Sequence, residues 1–257
     1  MALLETRRLS KHFGGLIAVK NLSFQVAEGR IHGLIGPNGA GKSTAFNVIS
    51  GFYAPTSGQV IYDGQDISGM RPDRIASLGL VRSFQGSSVY AELSVFDNVM
   101  VGCHLRARAN LPRTILGLNR SAERNARRTA QELLEMFGLA DQAAQTAANL
   151  PHGLQRRLGM AIALAARPRL LMLDEPFTGM NTGETSDMMD SVRTLRNHGT
   201  TVVLVEHDMQ AVMGLCDMVT VLNFGQLLAE GAPADIRNRP EVIEAYLGSA
   251  EDAAAAQ

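Results

Sequence analysis

Short apolar runs separated by glycine-bearing turns fill the first third of the chain. Leu3–Leu9, Leu22–Val26, Arg30–Ile35 and Gln59–Tyr62 are rich in aliphatic and aromatic residues. Gly14-Gly15, Glu28-Gly29, Gly36-Pro37 and Asp63-Gly64 punctuate them, so the region is predicted to consist of strands. A further strand-like run is Leu80–Phe84. Between about Asp97 and Ala166 the period changes: Ala122, Ala126, Ala130, Leu133, Leu134 and Phe137 recur at helical spacing and Gly138 supplies a stop. Beyond it, Leu170–Leu173 and Thr200–Val205 are continuously apolar and flank a helical segment from Glu184 to Asn197, as in a parallel sheet buried on both faces. Met218–Leu222 and Gln226–Glu230 flank the turn Phe224-Gly225 as a last strand pair, and Ala253–Ala256 reads as a frayed tail.

These elements predict an α/β fold. Its core spans residues 1–89 and 167–250 and carries an antiparallel β subdomain near the N-terminus; an α-helical subdomain is inserted at 90–166, and 251–257 form a disordered tail.

Composition narrows the function classes. A chain of 257 residues, 46% hydrophobic and 19% charged, can bury a core as one large domain or as a core with a subdomain. A formal charge of −1 exerts no global pull on nucleic acid, so no nucleic-acid partner is expected. Cys103 and Cys216 lie far apart without metal-ligand spacing and are expected as reduced, buried thiols. His12, His32, His104, His152 and His198 lack metal spacing too, so no zinc site is predicted. There is no N-terminal signal pattern and no apolar run of about 18–20 residues, so any service to a membrane is expected to pass through partners.

The chemistry is concentrated at strand ends. Gly36-Pro37-Asn38-Gly39-Ala40-Gly41-Lys42-Ser43, with Thr44 following, matches the P-loop pattern, comes straight after the strand Ile31–Ile35 and opens a helix. Glycines let backbone N–H groups turn inward around a polyphosphate, and the helix N-terminus adds partial positive charge. Lys42 is expected to reach the β- and γ-phosphates and the Ser43 hydroxyl to ligate Mg²⁺. Leu170–Leu173 ends in Asp174, which at the carboxyl edge of the sheet can hold the metal beside Ser43. Glu175 alternates away from it, a suitable place for a base that polarises attacking water. Thr200–Val205 closes likewise on Glu206-His207-Asp208, and His207 is expected to reach the γ-phosphate. The amide of Gln85, ending Leu80–Phe84, is placed to sense both metal and water.

This ordered set of P-loop, Gln85, a loop near residue 153, Asp174-Glu175 and His207 resembles the nucleotide-binding subunits of ABC transporters over nearly the whole chain. It is most similar to ATPases of branched-chain (hydrophobic) amino acid uptake systems. That likeness rests on Phe13-Gly14-Gly15-Leu16, Gln155-Arg156-Arg157-Leu158, Thr178-Gly179-Met180-Asn181, Glu206-His207-Asp208-Met209 and Glu244-Ala245-Tyr246-Leu247-Gly248. The resemblance implies a P-loop NTPase (ABC ATPase) core that hydrolyses ATP with Mg²⁺. It implies that Phe13 stacks on adenine, where the alternative is a strand-end Phe buried in the core. Gly179-Met180-Asn181 would touch an opposite subunit, and the helical insertion would face a transmembrane permease. The implied partners are a second ABC ATPase, a paralogue with a homodimer left open for the isolated protein, permease subunits and, indirectly, a substrate-binding protein. The implied place is peripheral, on the cytoplasmic face of the inner (plasma) membrane. An ATPase of a lipid or lipopolysaccharide exporter, or a non-transport ABC switch, stays open as the alternative.

One loop departs from the family. Its signature usually reads Leu-Ser-Gly-Gly-Gln, whereas this chain has Leu150-Pro151-His152-Gly153-Leu154. The missing hydroxyl removes a hydrogen bond to a charged group, worth about 1.5–3 kcal/mol. Pro151 suits the start of a helix, where no amide hydrogen is required; Pro151, His152 and Gly153 are expected to meet the partner's nucleotide in trans, with Gly153 and the following helix N-terminus offering backbone N–H groups, giving a working but slower site. Arg106, Arg108, Arg113, Arg120, Arg124, Arg127 and Arg128 read as a solvated helical face, with proximity to anionic headgroups as the sharper reading.

Overall fold

The computed structural model describes residues 2–83, 89–106 and 120–246. Phe84, Gln85, Arg108, Arg113 and the tail from residue 247 onward lie outside the described residues.

Two twelve-residue strands, β1 (Ala2–Phe13) and β2 (Leu16–Ala27), open the chain as an antiparallel hairpin. They outrun the apolar runs Leu3–Leu9 and Leu22–Val26 because the polar segments around Lys11 and His12 also pair, through register shifts that break the alternation a sequence would show. β3 (Ile31–Ile35) leads through the P-loop into α1 (Lys42–Ile49). β4 (Ser57–Tyr62) and β5 (Gln65–Asp66) complete a four-stranded sheet of order β2-β1-β4-β5. After α2 (Pro72–Ser77) come β6 (Leu80–Ser83), β7 (Leu170–Asp174), β8 (Thr201–Val205), β9 (Met218–Asn223) and β10 (Gln226–Gly231). With β3 they form a six-stranded sheet of order β10-β9-β3-β8-β7-β6, parallel except for the β9–β10 hairpin.

Strand alternation divides the core in two. Leu34, Leu170, Met172, Val203 and Val205 face α1 and the antiparallel sheet. Ile31, Ile35, Leu171, Leu173, Val202 and Leu204 face the helical layer. Each such side chain, fully withdrawn from water, contributes about 1.5–3 kcal/mol, which is why the strands carry apolar residues continuously.

Among the described residues the α-helices of the insertion are α3 (Val95–Arg106), α4 (Arg120–Met136) and α5 (His152–Ala165). Ala130, Leu133 and Leu134 of α4, with Phe137 just beyond it, pack on Val99 of α3 and Leu158 of α5. Along the outer face of α4, Arg127 and Arg128 are exposed and pair with Glu123 (3.2 Å) and Glu132 (2.9 Å) one turn away. α6 (Thr182–Asn197), α7 (Met209–Leu215), α8 (Pro233–Arg237) and a helical stretch at 240–246 complete the fold. Among the described residues no helix is long and apolar enough to cross a membrane. Both thiols are free; Cys216 is buried and Cys103 half-buried.

His32, 1% exposed on β3, bonds the Thr220 hydroxyl through Nε2 at 2.8 Å. Burial lowers its pKa from 6.5 to about 4. The folded ring thus stays neutral down to about pH 4 while the unfolded ring protonates near pH 6.5, so acid favours unfolding. This contribution is intact above pH 6.5 and is lost as pH falls through the interval to about 4. Urea unfolding is expected to show about 2 kcal/mol of His32-dependent loss between about pH 7.5 and pH 5, absent in His32→Gln. Equal acid sensitivity in that variant would contradict the assignment.

Candidate functional site

The P-loop is held by close backbone approaches. A Cβ on Gly36 would overlap the Leu222 carbonyl oxygen, and one on Gly41 (φ +96°) would overlap that of Ala18, so both positions require glycine. Gly36, Pro37 and Ala40 are buried, whereas Asn38, Gly39 and Ser43 are exposed and Thr44 is half-buried. Gly41 caps α1 without a side chain, leaving the first-turn amides to a ligand. The Lys42 ammonium donates to the Gly36 (2.7 Å) and Pro37 (2.9 Å) carbonyls, which keeps it over the loop. Burial lowers its pKa and the nearby Glu175 charge works in the opposite direction. Tyr246, from the motif Glu244-Ala245-Tyr246, also lies against this loop. Burial pushes its hydroxyl up to about 12 while the Gly36 backbone works against the shift.

Asp174 ends β7 beside Val205 of β8, and Glu175 and His207 continue from these adjacent strands. Glu175 sits at φ +47°, a left-handed conformation costly for a residue with a Cβ. Its amide donates to the Val205 carbonyl (2.9 Å), and its carboxylate accepts from the Thr178 hydroxyl (3.3 Å). Glu175 Oε1 lies 4.0 Å from Nδ1 of His207, a ring that is 54% exposed. The structure thus brings Lys42, Glu175 and His207 into one neighbourhood, with Asp174 next in chain to Glu175.

Arg82 was not anticipated as a site residue. Its guanidinium donates to Asp174 Oδ2 (2.5 Å), Asn47 Oδ1 (2.7 Å) and Ser50 Oγ (3.2 Å) and lies over the rings of Phe46 and Phe52. Ser43, Asn47 and Ser50 follow at i, i+4 and i+7, so they share the face of α1 that Arg82 joins to Asp174. A serine hydroxyl, a carboxylate and a phosphate-binding loop are a donor set that fits Mg²⁺ and a nucleoside polyphosphate. The signal for Arg82 is a single charge in a short strand beside the strand that ends in Asp174.

Glu206 is 1% exposed at the end of β8. Its Oε1 accepts the Phe177 amide (2.8 Å) and its Oε2 the His207 amide (3.1 Å). Burial raises its pKa, against the opposing effect of the Phe177, His207 and Asp208 amides.

The remaining predicted residues are spread around this centre. Phe13, 41% exposed at the end of β1, meets Tyr53 edge-on at 5.3 Å with Lys11 Nζ 5.0 Å from its centroid, which removes the alternative of a core Phe. Pro151 is the N-cap of α5 with extended backbone, and Pro151 and His152 are exposed. Gly153, half-buried, faces Glu184: a Cβ there would lie 3.3 Å from Glu184 Oε1. Arg156 of α5 donates to the Pro176 carbonyl (3.3 Å) and Arg157 pairs with Asp187 of α6 (2.6 Å). These two arginines therefore join the signature helix to the segment that follows Glu175. Asn181 and Glu184 form a reciprocal cap on α6, fixing the end of the loop Gly179-Met180-Asn181.

The family described as "ABC transporter" matches residues 19–178, and that described as "Branched-chain amino acid ATP-binding cassette transporter" matches 226–252. The Escherichia coli high-affinity branched-chain amino acid transport ATP-binding protein LivG is 43% identical over 251 residues, covering 96% of this chain and 98% of that one. A crystal structure of an ABC transporter ATP-binding cassette in its ADP conformation superimposes with TM-score 0.84 at 29% identity, covering 96% and 99%. A dimeric cassette in a post-hydrolysis state, bound to ADP and Pi, gives TM-score 0.75 at 25% identity, covering 90% and 98%.

Proposed function

The chain belongs to the ABC transporter ATPases, and we propose that it powers a membrane importer of branched-chain or related amino acids through ATP-driven closure of a dimer. The observation that carries the import reading is the full-length likeness to LivG, joined by the C-terminal match to the branched-chain family. The chain is an ATP hydrolase subunit; the residue roles below are our assignment.

The P-loop amides from Gly36 to Thr44 cradle the phosphates of ATP, and Lys42 neutralises charge at the β- and γ-positions. Ser43, Asp174 and Gln85 would hold Mg²⁺, which when bound shields phosphate charge. Phe13 lies against the adenine. Glu175 orients water in line with the γ-phosphorus and takes its proton as the new P–O bond forms and ADP leaves. His207, one short gap from Glu175, contacts the γ-phosphate. A second subunit's signature loop covers this nucleotide from the opposite side, and Pro151, His152 and Gly153 of this chain cover the nucleotide of that subunit, so closure requires two chains. The second chain is a paralogous ATPase, the helical insertion docks on permease subunits at the cytoplasmic face of the membrane, and a substrate-binding protein delivers cargo.

Tagged protein recovered from detergent-solubilised native membranes tests this. Two permeases, a second ATPase and a binding protein loaded with a branched-chain or related amino acid are expected by mass spectrometry. Recovery of lipid-export components would overturn the import reading and leave the ATPase standing.

A further inference from the structure

Two strands leave the central sheet side by side, one into Asp174-Glu175 and the other into Glu206-His207. The turn after Glu175 departs with a left-handed residue, a conformation a free loop would relax. What faces that turn from β8 is a carboxylate with almost no contact with water. Glu206 accepts the amide of Phe177, two residues beyond Glu175, with one oxygen and the amide of His207 with the other. Charged acceptors make the stronger class of such bonds, and a buried carboxylate without them would be costly. Burial and charge are thus committed to joining two loops, and no role in contacting nucleotide is open to a side chain enclosed in this way.

We propose that Glu206 is a positioning residue that sets the spacing between Glu175 and His207, so that the base and the histidine approach the γ-phosphate as one unit. The inference rests on the assignment of Glu175 and His207 made above. His207 Nδ1 lies 3.8 Å from Glu206 Oε2 and 4.0 Å from Glu175 Oε1, which puts the ring next to both carboxylates. Thr178, the residue after the tethered Phe177, holds the other oxygen of Glu175, so a shift of the Phe177 amide is transmitted to the base. A neutral, isosteric amide at position 206 keeps the volume but turns an N–H donor towards one of the two backbone donors, so one tether opens.

The test compares Glu206→Gln with Glu206→Asp, Glu175→Gln and His207→Ala in the full chain under steady-state ATP hydrolysis. Misplacing a reacting group by a fraction of an ångström is expected to lower kcat of Glu206→Gln by about 10- to 100-fold while KM for ATP stays within about twofold. Glu206→Asp keeps the charge but falls short by one methylene and is expected to lie between that variant and wild type. Hydrogen exchange should rise in peptides containing Phe177 and His207. A merely structural role would lower the thermal midpoint and leave kcat per folded molecule unchanged. Turnover of Glu206→Gln within about twofold of wild type, or a loss confined to KM, would overturn the proposal. If Glu175→Gln and His207→Ala retain turnover, the site assignment itself fails; if both collapse it while Glu206→Gln matches wild type, only the tether fails.

Discussion

Glu175→Gln is expected to lower steady-state ATP hydrolysis by about 1000-fold while nucleotide affinity is kept, because loss of a positioned general base typically costs about 10²–10⁴-fold. The substitution is isosteric, so the left-handed backbone at this position and the Thr178 contact are compatible with it. What it removes is the charge that opposes the burial-driven fall of the Lys42 pKa and that polarises water. With binding intact and turnover blocked, two chains should remain closed around ATP, and the dimer should persist in size-exclusion chromatography with ATP and Mg²⁺ present. ADP should not support it. Turnover near wild type would remove Glu175 as the base and point to a neighbouring group. A blocked enzyme that stays monomeric would keep the base but place closure under control of the permease.

Much of this site was legible in the sequence because phosphate binding is local backbone chemistry. Eight consecutive residues, Gly36 to Ser43, must carry glycine where the chain passes the Leu222 and Ala18 carbonyls, and the motif records that need directly. The strand ends at Asp174 and His207 were legible for a related reason: continuous apolar runs that stop at a polar group mark the edge of a parallel sheet. The side chains that join distant segments were not legible. Arg82 and Asp174 are 92 residues apart in the chain, and nothing in either run names the other. Arg156 and Arg157 served only as family markers, yet in the fold they reach Pro176 and Asp187. Glu206 looked like one more acid at a strand end; only its burial separates it from Asp208, whose carboxylate instead caps α7. The length of the first hairpin was underestimated because register shifts place polar residues where alternation calls for apolar ones.

Arg82→Met is expected to have the largest effect on stability. The pair with Asp174 is nearly enclosed, with side-chain exposures of 9% and 17%, and removing one partner leaves a carboxylate uncompensated. Breaking such a pair costs about 3 kcal/mol, which for a domain of this size corresponds to a fall of roughly 6–12 °C in thermal midpoint. The methionine retains the contacts with Phe46 and Phe52, so the loss reports charge and hydrogen bonding more than volume. Adding Asp174→Asn should return more than half of the lost stability, since an unpaired amide is less costly to bury than an unpaired carboxylate, and the two substitutions should be strongly non-additive. Hydrolysis should not return, because the double variant lacks the carboxylate assigned to Mg²⁺. Additive losses in urea unfolding would instead place the contribution of Arg82 in its bonds to Asn47 and Ser50, making it a brace for α1 and not a partner of the metal ligand.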